Sequence, residues 1–292
     1  MMTLSPWIMA ARPRTLSLSF TPVLVGTAMA WSADGEVLWL PVLAALIASM
    51  FIQLGTNLHN DAADFERGSD GPDRIGPPRV TASGLLSATT VNRGALVCFA
   101  IAALLGLYLT YVGGWPILLL GILSIAAGWG YTGGPYPIAY TPLGEVFVVA
   151  FFGVAAVAGT YFLCRGHISA SALTSGVAIG SLTGAVLLVN NHRDVESDAR
   201  VGRRTLPIVA GSATTIAVYA ALMLLPFALL PLIGRGLPRG HVWAAFIAAP
   251  LALALIWRFA REPRGPAFNQ ILVQTVQVQL AFSLLLSVGL LL

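Results

Sequence analysis

Two short stretches of this chain carry side chains suited to ligand chemistry. The first runs Asn60-Asp61-Ala62-Ala63-Asp64 and continues through Glu66 and Arg67 to Asp70 and Asp73. The second runs Asn191-His192-Arg193-Asp194-Val195-Glu196-Ser197-Asp198. Asn60 and Asp64 are four apart, as are Asp194 and Asp198, so on a helix each pair shares a face. Two such faces meeting across a bundle would repel without a cation between them. Few, hard oxygen ligands select Mg²⁺, which keeps waters and bridges phosphates. Arginines follow both stretches: Arg67, Arg74 and Arg79 after the first, then Arg193, Arg200, Arg203 and Arg204 around the second. Guanidinium forks match phosphate oxygens in pairs. Acids plus arginines in this arrangement read as a Mg²⁺–diphosphate site. The bland reading is two solvated loops flanked by arginines that only signal topology.

The elements that must position these residues are apolar. The chain has 292 residues, is 57% hydrophobic and only 10% charged, and has a mean hydropathy of +0.82. Globular domains carry roughly 25% charged residues, so the composition points to a polytopic membrane protein. Apolar runs bounded by Gly, Pro and charge predict nine transmembrane helices near 16–32, 38–59, 94–112, 115–131, 144–163, 170–190, 213–233, 241–260 and 271–291. The opening segment reads as the first span rather than a cleavable leader. Distributed over that topology, thirteen arginines fall on one side. Arg165, Arg235 and Arg239 fall on the other. The positive-inside rule makes the first side cytoplasmic, with the amino terminus inside. Eight of the twelve acids lie in two loops of that face, 60–93 and 191–212. The acid motifs recur after four spans, which suggests two four-helix halves plus one helix in a single transmembrane domain, 1–292. An apolar bundle beside a diphosphate site would hold an isoprenyl tail. Cys98 and Cys164 sit near opposite faces in this topology, too far apart for a disulfide.

The wording of the motifs narrows the reading. "NDAADFERGSD" and "DVESD" resemble the two Asp-rich motifs of the UbiA superfamily of intramembrane aromatic prenyltransferases. "ARPRTLSLSFTPVLVGTAMA", "DRIGPPRVTASGLLS", "YTGGPYPIAYTPLGEVFVVAFFGVAAVAGTYFL" and "NNHRDVESDARVGRRTL" are similar to its 1,4-dihydroxy-2-naphthoate branch, the menaquinone-pathway type. The resemblance runs from about Met9 to Leu206. It implies an all-α, UbiA-like fold of nine transmembrane helices in a bacterial cytoplasmic (inner) membrane. The implied activity moves a polyprenyl group from its diphosphate to 1,4-dihydroxy-2-naphthoate, with loss of CO₂. It also implies Mg²⁺ on Asn60, Asp64, Asp70, Asp194 and Asp198, with Asp61, Asp64, Asp194 and Asp198 essential to turnover. The diphosphate falls to Arg67, Arg74, Arg79, Arg203 and Arg204. Asn57, Tyr131, Tyr136, Tyr140 and Asn191 are expected to form a pocket for the acceptor or the allylic cation. The competing reading of the tyrosines is an interfacial aromatic belt.

Two departures from the superfamily pattern stand out. Gly68 occupies the usual place of the third acid of the first motif, and Asp70 takes that role. His192 sits where an apolar residue is expected and, like His59, reads as a helix-end residue. Other classes compete with this assignment. Prenylation of 4-hydroxybenzoate, homogentisate or a chlorophyll precursor stays within the superfamily. A secondary transporter would place its acids at mid-helix depth and often show an inverted repeat. A lipid-binding protein without turnover would not need two facing acid pairs. The expected partners are the polyprenyl diphosphate, the aromatic acceptor and membrane lipid. The basic balance, formally +4, reflects topology and not nucleic-acid binding.

Overall fold

A computed structural model describes residues 6–69, 71, 74–235, 237 and 241–292. Among these the chain forms helices and turns, with no strand. Eleven helices carry the architecture: α1 (Pro6–Ala11), α2 (Ser17–Asp34), α3 (Trp39–Glu66), α4 (Ala88–Gly113), α5 (Trp115–Gly130), α6 (Gly144–Arg165), α7 (Ala170–Arg193), α8 (Val195–Arg200), α9 (Leu206–Gly234), α10 (Val242–Arg261) and α11 (Phe268–Leu291). Every apolar run expected to span is helical. Seven of them, α3, α4, α6, α7, α9, α10 and α11, are long and apolar enough to cross a membrane. The segment from Pro6 to Thr15 and α2 meet that test only as a pair bent by 47°. The helix α5, at 16 residues, is shorter than a full crossing. Length and composition therefore give seven crossings, or eight with the bent pair, against the nine expected.

Local chemistry sets where these helices begin and end. Ser87 caps α4 by accepting from the Thr90 amide at 3.2 Å. Ser169 caps α7 the same way through Ala172. The helix α9 extends seven residues upstream of the expected start, across a break at Gly211, whose φ of +76° suits a residue without a Cβ. Likewise α3 runs past the apolar segment to Glu66. The buried carboxylates of its last two turns, Asp61 and Asp64, are met by loop amides and by arginines, while Glu66 is exposed.

The helix α7 is the hub. Its sequence is rich in Gly, Ala, Ser and Thr, and small residues let backbones approach. A Cβ on Gly153 of α6 would come within 2.2 Å of the Gly176 carbonyl oxygen and 2.5 Å of the Gly180 Cα. This close crossing coincides with a π-helical turn over Val149–Ala155; such turns frequently mark functional sites. The dry core lies on one side of α7, among α2, α9, α10 and α11. There Tyr219 stacks on Phe259 at 4.2 Å, and Phe227 meets Phe282 edge-on. On the other side, α2 to α7 do not close completely. They surround a cavity of about 510 Å³ walled by aliphatic and aromatic side chains. Large apolar residues such as Val97, Leu104, Ile247 and Leu251 face outward, as lipid contact requires. Cys98 and Cys164 are both free.

Candidate active site

Both acid motifs close one end of the cavity, and they are built differently. Asp61 and Asp64 lie on the unbroken last turns of α3. In the second motif the helix is interrupted. Asp194 ends α7 and opens α8, and Asp198 lies within α8 with its amide bonded to the Asp194 carbonyl at 2.8 Å. Both motifs line a second, polar cavity of about 200 Å³, with Arg12, Ser69, Arg74, Arg79, Asn190, Ser197, Arg200 and Arg203. It adjoins the larger apolar one, and Arg12, Asp64, Arg79, Asn190 and Arg203 line both.

Arg203 joins the two motifs. It donates to Asp64 Oδ1 at 2.5 Å and to Asp198 Oδ1 at 3.1 Å, while its guanidinium lies 4.9 Å from the centre of the Tyr140 ring. The other oxygen of Asp64 accepts from Arg79 at 2.6 Å. Burial alone would lower the pKa of Arg203, but the carboxylates of Asp64 and Asp198 raise it above the ordinary arginine value. Asp198 moves the other way. Desolvation pushes its pKa up to about 6, with Asp194 and Asp64 adding to the rise against the pull of Arg203. Asp194 is clamped by its neighbour: Arg193 donates to its two oxygens at 2.7 and 2.6 Å. Arg193 also reaches Asn190 and Asn269, each at 2.8 Å, and Asn269 holds the Ile75 carbonyl at 3.0 Å. The start of α11, the second motif and the first loop are thereby tied together.

Asp61 faces the loop and not the cavity. Its carboxylate accepts from the amides of Val80 and Thr81 at 3.2 and 3.1 Å and from the Thr81 hydroxyl. It anchors the segment that carries Arg79. Asn60 accepts from the Thr132 hydroxyl and lines the apolar cavity just below the cap. Arg67 turns to the Thr132 carbonyl and, at 2.9 Å, to that of Gly134. Arg204 bonds the Tyr140 carbonyl through its backbone amide at 3.0 Å. Neither Arg67 nor Arg204 lines either cavity. Asn57, Tyr131 and Asn191 do line the larger one. Tyr140 stays at the cap beneath Arg203, and Tyr136 is 90% exposed. Asp70 lies outside the described residues. His59 stacks on Trp129 at 3.9 Å and pairs with Asn92 at 3.0 Å, and His192 packs between Phe259 and Phe268.

Sequence reasoning missed Arg12 as a site residue. Its charge counted only toward topology, yet it sits at φ +53° between α1 and α2 with a buried Nη2 that has no hydrogen-bond partner among the described residues. The available signal was an arginine directly before a proline at the entry to the first span.

Among the described residues, those of metal-binding type that line the cap offer oxygen, which suits Mg²⁺. The arginines engage the carboxylates directly, and no three His, Cys, Asp or Glu side chains among the described residues converge on one point as a metal cage would require. The donor set thus fits an ion shared with a phosphate ligand better than an all-protein cage.

The sequence and the fold have counterparts. The chain is 34% identical over 281 residues to the 1,4-dihydroxy-2-naphthoate octaprenyltransferase of Bacillus subtilis, covering 96% of this chain and 90% of that one. It is 36% identical over 253 residues to the enzyme of the same name from Mycobacterium tuberculosis, covering 87% and 85%. In fold it is similar to the apo UbiA homolog from Aeropyrum pernix K1, with a TM-score of 0.71 at 16% identity over 95% of this chain and 97% of that one. The UbiA homolog from Archaeoglobus fulgidus bound to DMAPP and Mg²⁺ gives 0.69 at 14% identity, over 98% and 99%. The signature of the UbiA prenyltransferase family spans residues 19–273. With its helical bundle, its paired acid motifs over an apolar cavity and these relatives at a third of their residues identical, the chain belongs to the UbiA prenyltransferase family.

Proposed function

We propose that this protein is a Mg²⁺-dependent membrane prenyltransferase. It moves a polyprenyl group from polyprenyl diphosphate to 1,4-dihydroxy-2-naphthoate, releasing CO₂ and diphosphate and giving demethylmenaquinone. The observation that carries the reading is the junction of the two cavities. An acid–arginine cap opens directly into an apolar chamber, so a ligand with a diphosphate head and a hydrocarbon tail fits both at once.

The chain's own residues divide the work. Arg79 and Arg203 now neutralise Asp64 and Asp198 and are positioned to turn toward diphosphate oxygens, with Arg12 and Arg74 alongside. Asn60, Asp64, Asp194 and Asp198, with Asp70 as a further candidate, would hold Mg²⁺, which when bound offsets the charge of the departing diphosphate. Arg193 keeps the Asp194 carboxylate oriented. The chamber below excludes water from the allylic carbon as its bond to oxygen breaks. Tyr131, Phe147 and Phe151 wall that chamber, with ring centres 6.0 and 4.6 Å apart along the series. Their faces suit an allylic cation or a stacked acceptor ring. The electron-rich ring attacks through the carboxyl-bearing carbon, and loss of CO₂ restores aromaticity.

The thirteen-to-three arginine asymmetry supports a cytoplasmic cap and amino terminus in a bacterial inner membrane. The nine helical segments support nine crossings in one domain, with α5 and the bent pair of α1 and α2 completing the count. The parallel placement of the two motifs supports two four-helix halves. Purified protein given Mg²⁺, labelled polyprenyl diphosphate and each aromatic acid in turn tests the assignment. Prenylation of the naphthoate that is abolished by EDTA supports it; full turnover in EDTA contradicts the metal role.

A further inference from the structure

The second motif is held from behind by one buried guanidinium. Arg193, its side chain 1% exposed, lies side-on to Asp194. Its Nε donates to Asp194 Oδ1 at 2.7 Å and its Nη2 to Oδ2 at 2.6 Å. Nη2 also donates to Asn190 Oδ1, and Nη1 to Asn269 Oδ1, each at 2.8 Å. Asn269 stands in the first turn of α11, 76 residues further along the chain. Its amide can be held only one way. Arginine offers no acceptor, so Oδ1 must face Arg193, and Nδ2 then donates to the Ile75 carbonyl at 3.0 Å. The next residue of that loop closes over the guanidinium. A Cβ on Gly76 would come within 2.8 Å of Arg193 Nη2 and 3.3 Å of its Cζ, so the loop backbone lies directly against it. Arg193 therefore cannot draw back toward the loop, and Asn269 sets how its fork is turned. A carboxylate has about four lone-pair sites, and the side-on fork takes one on each oxygen. The fork thus aims the remaining lone pairs of Asp194, which lines the polar cavity. Groups that hold a metal ligand from behind govern affinity nearly as strongly as the ligand does.

We infer that Asn269 is a positioning residue for the metal site: through Arg193 it aims Asp194, so the start of α11 sets the affinity for Mg²⁺. The inference rests on the metal role proposed for Asp194 and extends it to a residue outside both acid motifs. The same amide holds Ile75 in the loop that carries Arg74 and Arg79. One side chain therefore fixes the second motif and the arginine loop relative to each other. A tie that only held helices together would contribute stability without touching metal affinity, and the two effects are separable.

Calorimetric titration of Mg²⁺ into the detergent-solubilised protein with one equivalent of inorganic diphosphate gives the metal Kd, and thermal unfolding in EDTA gives the stability separately. Asn269→Leu removes the acceptor behind Arg193 and should raise the Mg²⁺ Kd by about tenfold or more, the usual effect of losing a group that orients a metal ligand. Asn269→Ala carries the same expectation where leucine is not tolerated. Tyr219→Phe is the control for stability alone. It breaks the 2.8 Å hydrogen bond between Tyr219 and Thr275, which also ties α11 into the bundle but lies in the dry core. It should lower the Tm in EDTA and leave the Mg²⁺ Kd unchanged. A Kd within about twofold of wild type in the Asn269 variants overturns the inference, whatever their Tm. So does a Kd that rises as far in Tyr219→Phe, since the change would then follow stability alone. Wild type that binds no Mg²⁺ beside diphosphate would overturn the metal reading beneath the inference, and the inference with it.

Discussion

Removing the Arg203 side chain would break a guanidinium bridge between the two motifs. In Arg203→Ala, Asp64 keeps Arg79 at 2.6 Å, so its charge stays partly matched. Asp198 fares worse. It is 7% exposed, loses its 3.1 Å partner, and is left beside Asp194 and Asp64 with its pKa already pushed up to about 6. Breaking a buried pair by deleting one partner costs about 3–5 kcal/mol. For a chain of this size that corresponds to a fall in Tm on the order of 10 °C. The assay is thermal unfolding in detergent, with and without Mg²⁺ and inorganic diphosphate. Wild type and Arg203→Ala should differ by that amount in EDTA. The gap should narrow when Mg²⁺ supplies positive charge between the carboxylates, while turnover stays low because a diphosphate ligand is missing. Arg203→Lys should be intermediate in stability, since one ammonium cannot span both carboxylates and stack on Tyr140 as well. A Tm for Arg203→Ala within 1–2 °C of wild type in EDTA would refute the bridging role, since broken buried pairs cost far more than that.

Three further outcomes are expected. Asp61→Ala should release the Val80–Thr81 amides, destabilise by about 1–3 kcal/mol, and raise the KM for polyprenyl diphosphate through displacement of Arg79. Steady-state kinetics that leave the donor KM untouched would remove Asp61 from any positioning role. The raised pKa of Asp198 makes its carboxylate a liability without metal. Its favourable contribution is fully present below the unfolded value near 3.8 and is lost as pH rises through about 6. The Tm of metal-free wild type relative to Asp198→Asn should therefore rise as pH falls from 7.5 to 4.5, and a flat difference would contradict the shift. Single cysteines at Ser69 and Gly202, in a background lacking Cys98 and Cys164, should resist an impermeant thiol reagent outside intact cells; ready labelling would invert the proposed orientation.

Periodicity and composition made the helical segments legible, because an apolar run long enough to span has one way to satisfy its backbone. They did not set the ends. Whether α3 stops at His59 or runs to Glu66 depends on what neutralises its carboxylates, and that comes from Arg79 and Arg203, 15 and 139 residues away. Motif spacing identified Asp64, Asp194 and Asp198 as neighbours of one cavity. It could not separate Asp61, which shares a motif with Asp64 yet has its oxygens on loop amides. Nor could it separate Arg203, which bridges the motifs, from Arg204, which contributes a backbone amide to Tyr140. Adjacent residues in a loop point in directions that only the tertiary contacts decide. Glu145 was silent for a similar reason: it lies inside an apolar run, and its meaning comes from Asn191, the amide it meets across the bundle.

The central claim is a decarboxylative transfer to a dihydroxynaphthoate, and one measurement tests it most directly. Carboxyl-¹⁴C-labelled 1,4-dihydroxy-2-naphthoate is incubated with the purified protein, Mg²⁺ and polyprenyl diphosphate, and released ¹⁴CO₂ is counted against prenylated product. Loss of CO₂ restores the aromatic ring without a strongly basic side chain, so the two should appear one for one, with 4-hydroxybenzoate a poor acceptor. Efficient prenylation of 4-hydroxybenzoate, with no ¹⁴CO₂ from the naphthoate, would contradict the account.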